Sequence, residues 1–152
     1  MLEQPMDYLI MCIGNRDGGD DAIGPYVADR LKEEENTFVV LDCGIVPENY
    51  TSVVKKYKPK NLIIIDATKM GLSVGEIRIV PKEKIGSMHV STHGIPLSVL
   101  MTYLEPYAEN IVLIGVEPKI FSGKITNSVK KSGDKLAEII KSKHLEEIET
   151  LQ

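Results

Sequence analysis

Residues 61–67 read Asn-Leu-Ile-Ile-Ile-Asp-Ala, four consecutive branched apolar side chains running straight into a carboxylate at Asp66. Successive side chains of a strand point to opposite faces, so a run without polar alternation belongs to a strand covered on both sides. The run is also too short to cross a bilayer. A second run of the same kind, Tyr8–Ile13 (YLIMCI), stops at Gly14, and residues 37–44 (TFVVLDCG) and 110–118 (NIVLIGVEP) read as further strands.

Helical spacing fills the gaps between these runs. Residues 22–35 put Ile23, Val27 and Leu31 on one face, with Pro25 in the first turn. Tyr50, Val53, Val54 and Tyr57 mark a second helix, and Leu97, Leu100, Met101 and Leu104 a third that begins near Pro96. A last helix, capped by Thr126 or Asn127, turns Val129, Leu136, Ile140 and Leu145 inward. One connection breaks the alternation. Residues 68–75 (TKMGLSVG) are too few for a crossover helix, so the strand at 76–80 (EIRIV) is expected to be an antiparallel edge. The pattern predicts an α/β fold with three α/β/α layers and a mostly parallel twisted sheet of about five strands, one an antiparallel edge strand. Residues 1–152 are expected to form a single domain.

Composition narrows the function classes. The formal net charge is −4 with both signs interspersed, which leaves no basic stripe for nucleic acid. The two cysteines, Cys12 and Cys43, are too few for a disulfide framework or a zinc ribbon and fit a reducing compartment. No basic region precedes the first apolar run, so neither a signal peptide nor membrane insertion is expected and the location expected is cytoplasmic. The expected oligomeric state is a monomer or weak oligomer.

In open α/β sheets ligands gather at the carboxyl ends of the strands. That rule selects the loop GNRDGGDDAIGP (residues 14–25), Asp42 and Cys43 after the second strand, Asp66 after the third, and a loop with His89 and His93 leading into the third helix. The glycine loop carries Asp17, Asp20 and Asp21 where a phosphate loop would need lysine and open amides. Carboxylates and an imidazole drawn from separate segments suit a transition ion, with positions left open for water or substrate. Plainer readings stand beside this one. Asp20 and Asp21 fit a helix start, Asp66 a strand-closing turn, His93 a helix-entry histidine, and His89 and His144 surface positions. Cys12 fits core packing, and Cys43 at the rim is conceivable as a thiol nucleophile with His93 as its base.

Taken together, CIGNRDGGDDAIGP, LDCGIVPEN, LIIIDATKMGLSVGEIRIV and STHGIPLSVLM resemble the hydrogenase maturation endopeptidases, nearest the HycI-like branch of the HycI/HybD group, over residues 8–120. The resemblance implies an endopeptidase that removes the C-terminal extension of a nickel–iron hydrogenase large-subunit precursor after nickel insertion. It implies Asp21, Asp66 and His93 as metal-contacting residues, with nickel supplied by the substrate and zinc or cadmium able to take its place. Asp42 corresponds to the first residue of the family's Asp-Gly-Gly loop, which makes Asp42 or Asp66 a candidate general base on a water. Two positions depart from the family pattern: Cys43 replaces the middle glycine, and Gly94 stands where an asparagine often follows the histidine. A non-cleaving nickel-binding accessory protein and a free-standing metallohydrolase are the alternatives.

Overall fold

A computed structural model describes residues 6–32, 38–86, 89–90 and 95–152, the pair 89–90 by backbone alone. The strands are β1 (Tyr8–Ile13), β2 (Phe38–Gly44), β3 (Asn61–Lys69), β4 (Ile77–Val80), β5 (His89–Val90) and β6 (Asn110–Val116). The helices are α1 (Ile23–Leu31), α2 (Thr51–Tyr57), α3 (Lys82–Ile85), α4 (Leu97–Leu104) and α5 (Asn127–Ser142). The main sheet has the order β2-β1-β3-β6-β4, and β5 pairs with β3 off this path. β1, β2, β3 and β6 are parallel, whereas β4 runs antiparallel to β6 at the edge, as the short connection before it requires.

Strand alternation divides the interior into two cores. Ile10, Cys12, Ile63, Ile65, Ala67 and Ile114 pack with Ile23, Val27 and Leu31 of α1 and with Val129, Leu136 and Ile140 of α5. Leu9, Met11, Ile13, Leu62, Ile64 and Leu113 pack with Val54 of α2 and Leu97, Leu100 and Leu104 of α4. Helices therefore cover both faces. Leu62, Ile63, Ile64 and Ile65 are each 0% exposed, so cutting any one of them back to alanine would cost about 2–5 kcal/mol.

Several boundaries differ from the sequence reading. α1 ends at Leu31, and residues 33–35 of the expected helix lie outside the described residues. The second expected helix opens as a 3-10 turn, Pro47–Tyr50, before α2, and stops where Lys58 turns left-handed at φ 45°. β6 ends at Val116; Glu117 still exchanges main-chain hydrogen bonds with Glu76 and Gly75, and Pro118 then has no N–H to continue the ladder. Leu145 still packs on the first core, but from a 3-10 turn beyond α5. The helix is closed by Lys143 at φ 59°, whose N–H donates to the Ile139 and Ile140 carbonyls.

The edge strand is partly covered from outside. The Ile79 N–H donates to the Glu149 carbonyl (2.9 Å), the Leu151 N–H donates to the Ile79 carbonyl (2.8 Å), and Leu151 is buried against the second core. Such cover hides open ladder groups that would otherwise invite another strand.

Candidate functional site

The crossover from β1 to β2 passes through α1 on one face, and the crossover from β2 to β3 passes through α2 on the other. The chain thus reverses direction between β1 and β3, the kind of switch point beyond whose carboxyl ends open α/β sheets take their ligands. Asp21 lies in the loop after β1, whereas Asp66, expected to close its strand, lies within β3, which continues to Lys69 because Thr68 and Lys69 pair with β5; both stand toward the carboxyl side of this switch point. They are 5% and 0% exposed.

The first loop folds back on itself. The Gly14 N–H donates to the Gly44 carbonyl (2.8 Å), tying the loop to the end of β2. A Cβ on Gly14 would lie 1.9 Å from the Asp21 carbonyl oxygen, so only glycine permits this return. The Asn15 N–H then donates to Asp21 Oδ2 at 3.0 Å. Asp21 precedes α1, where the helix N-terminus favours negative charge. Asp66 shares the alternation of Leu62 and Ile64, so it belongs to the face covered by α2 and α4. Its Oδ1 accepts the Ala67 N–H at 2.9 Å.

Asp42 shares the alternation of Phe38 and Val40 and lies on the opposite, α1-covered face. Arg16 donates to it at 2.6 Å and forks onto both oxygens of Asp29 at 2.8 and 2.9 Å. The hydrogen bond from Arg16 holds the Asp29 carboxyl below the usual carboxylate range. Because β1 and β3 are neighbours, Asp21 and Asp66 stand toward the same edge of the sheet, whereas Asp42 lies on the α1-covered face in an ion-pair network. His93 and Gly94 lie outside the described residues. The backbone of β5, four residues before His93, pairs His89 with Lys69, so this loop passes the end of β3. Among the described residues, no group of three or more histidine, cysteine, aspartate or glutamate side chains is spaced to hold a metal ion.

Cys43 is 1% exposed within the α2/α4-side core. Burial first, then the Asp42 charge, pushes its thiol well above the ordinary cysteine range, so it is protonated at neutral pH and poorly suited to nucleophilic attack. Cys12 is likewise a core residue, its thiol raised first by burial. His144 is an exposed side chain 3.8 Å from Glu146.

Two buried carboxylates escaped the sequence reading as structural clamps. Asp20, expected only to start a helix, is 0% exposed. Its Oδ2 accepts the Lys119 and Ile120 N–H groups (2.7 and 3.2 Å), and its Oδ1 accepts the Thr126 N–H and hydroxyl (2.7 and 2.8 Å). Glu117 accepts the Met70 and Leu72 N–H groups (2.7 and 3.0 Å). A signal for Glu117 was present, since the proline after it stops the ladder there and leaves an acid at the end of an apolar strand.

The family model described as HycI, hydrogenase maturation protease, matches residues 25–143. The chain belongs to the hydrogenase maturation protease family. It is 36% identical over 117 residues to the hydrogenase 3 maturation protease of Escherichia coli K12, covering 76% of this chain and 75% of that protein. The solution structure of the endopeptidase HycI from Escherichia coli matches with a TM-score of 0.87 and 30% identity, over 97% of each chain. The crystal structure of the NiFe hydrogenase maturation protease HycI from Thermococcus kodakarensis KOD1 matches with a TM-score of 0.80 and 34% identity, over 90% of this chain and 91% of that one. Membership carries the peptidase class and a role in hydrogenase maturation. No helix among the described residues is long and apolar enough to cross a membrane.

Proposed function

We propose that this chain is the endopeptidase that removes the C-terminal extension from a nickel–iron hydrogenase large-subunit precursor once nickel has been inserted, working in the cytoplasm. The observation that carries this reading is the pair of buried carboxylates, Asp21 and Asp66, at the carboxyl ends of the adjacent strands β1 and β3. Two hard oxygen donors joined by the imidazole of His93 make a donor set suited to a transition ion presented by another molecule. Nickel is then part of the substrate, and Asp21, Asp66 and His93 read its presence by contacting it. Bound near the scissile carbonyl, the ion would supply Lewis-acid polarisation.

In this reading the chain's own residues position the tail and move the proton. Water attacks the scissile carbonyl carbon while a carboxylate takes its proton, which then passes to the departing amine to leave a new carboxyl terminus and a free peptide. Asp66 is the favoured base, because Asp42 is committed to Arg16 on the other face of the sheet. The deciding experiment is the mass of a nickel-loaded precursor before and after mixing with the protein. Loss of the C-terminal peptide only when nickel is present supports the proposal. An unchanged mass rejects it and favours a non-cleaving accessory role, whereas cleavage without nickel, with zinc retained by the protein after dialysis, favours a free-standing metallohydrolase.

A further inference from the structure

The loop between β6 and α5 carries Ile120 and Phe121, which are 36% and 37% exposed. Exposed apolar side chains at the tip of a long loop ordinarily mark a mobile contact or an accident of composition. Here the loop is fastened at every turn to the loop that carries Asp21. The Gly19 N–H donates to the Gly123 carbonyl (3.1 Å) and the Asp20 N–H to the Ile120 carbonyl (2.8 Å). The Asp20 carboxylate accepts four hydrogen bonds, from Lys119, Ile120 and Thr126. The two backbones approach so closely that a Cβ on Gly19, at φ 61°, would fall 2.7–2.9 Å from backbone atoms of Ser122 and Ile120. On the other side, the Lys69 ammonium at the end of β3 lies 5.3 Å from the centre of the Phe121 ring. The loop carrying Ile120 and Phe121 is thus held between the turn that leads into Asp21 and the end of β3, the strand that bears Asp66.

We infer that Ile120 and Phe121 are specificity-determining residues that receive an apolar segment of the precursor polypeptide, and that Asp20 is the positioning residue fixing them relative to Asp21. The inference rests on the cleavage reading above and names where the substrate chain is gripped. Charge selects the kind of segment. The stretch from Lys119 to Lys124 contains two lysines and no acid, and exposed Lys69 stands beside it. An apolar stretch flanked by acidic residues complements this surface, and a basic one is repelled. Because Asp20 and Asp21 are consecutive, a substrate segment seated on Ile120 and Phe121 is placed in a fixed register with the Asp21 carboxylate.

The test is a split between kinetic constants. Ile120→Ser combined with Phe121→Ser changes only exposed side chains, so the fold survives. With nickel-loaded precursor, KM should rise about tenfold while kcat stays within about twofold. Cadmium binding by the free protein, followed by calorimetry, should not change in this variant. Asp20→Asn should instead lower kcat and weaken cadmium binding, and a purely structural role for Asp20 would reduce thermal stability while leaving both intact. An unchanged KM in the paired serine variant overturns the inference, as does an equal rise from Val99→Ser on α4, which would move the contact away from this loop. Precursor affinity measured in an Asp66→Asn background, with and without the two serines, separates the two readings. If wild-type protein fails to cleave but affinity still falls with the serines, the cleavage reading is lost and the contact stands. If cleavage occurs and affinity ignores the serines, only the contact is lost.

Discussion

The two ends of the sheet are held in different ways. At the amino ends of the strands the chain is tied by ordinary main-chain bonds, such as Lys60 N–H to the Met6 carbonyl and Asn110 N–H to the Lys60 carbonyl, both 2.8 Å. The charges there, Lys143 and Asp7, pair at 3.1 Å with much of both side chains in water. At the carboxyl ends stand all four buried acids of the described residues, Asp20, Asp21, Asp66 and Glu117. Burying a carboxylate is costly unless hydrogen bonds replace water. Asp20 and Glu117 meet that requirement with N–H groups of distant segments, and so become architecture. Asp21 and Asp66 accept N–H groups close by in the chain, from Asn15 and Ala67, and stand at the edge where β1 and β3 end. One rim therefore contains both the clamps and the candidate chemistry, and the contrast predicts that mutations will fall into two classes.

The largest effect should come from Asp66. Asp66→Asn keeps the size of the side chain but removes its charge, and processing of nickel-loaded precursor should fall by about a hundredfold or more. Circular dichroism should be unchanged, and retained processing would end the assignment. Next comes the clamp. Asp20→Ala strands three backbone N–H groups and a hydroxyl that now have a buried acceptor, and should lower unfolding free energy by about 3 kcal/mol in urea titrations. A loss under about 1 kcal/mol would mean that water replaces the carboxylate readily. Gly19→Ala should cost about 1–3 kcal/mol by the same measurement, because the left-handed backbone and the close approach of the 120–122 segment both resist a Cβ.

The two thiols supply a subtler effect. Both are raised in the folded state, foremost by burial. Their contribution to stability is full below the unfolded thiol value of about 8.5 and fades as pH rises from there toward the folded values. Native protein at pH 8 should therefore resist a thiol-reactive dye until denaturant is added, and Cys43→Ser should keep most processing activity. Fast labelling of Cys43 in the native state would revive a thiolate. The smallest effect belongs to the amino end, where Asp7→Asn should change unfolding free energy by no more than about 0.5 kcal/mol. A larger loss would show that the two ends are less different than their burial suggests.

The fold was legible because its signals are local and strong. Leu62 to Ile65 could only be a strand covered on both faces, and the eight residues from Thr68 to Gly75 could not hold a crossover helix, which fixed the direction of β4. The same patterns put Asp21 in the loop after β1 and Asp66 late in an apolar strand, although β3 runs on to Lys69 through pairing with β5 that no local signal announced. What could not be read was pairing across long separations. Nothing local to Asp20 announces that its carboxylate will bond amides about a hundred residues later, and nothing in Glu149 to Leu151 announces a strap beside Ile79. Asp42 shows the limit in another way. Its position at a strand end was evident, but the face it takes depends on counting from Phe38, and its engagement by Arg16 depends on a loop conformation that the sequence does not spell out.

The clamp made by Asp20 reaches chiefly main-chain amides, and at Lys119 and Ile120 it touches nothing else. Any non-proline amino acid offers the same amide. The side chains displayed there are therefore free to drift or be exchanged without disturbing the path of the loop or the carboxylates beneath it. Lineages that must match different client proteins would have a place where recognition can be rewritten while the chemistry is inherited intact.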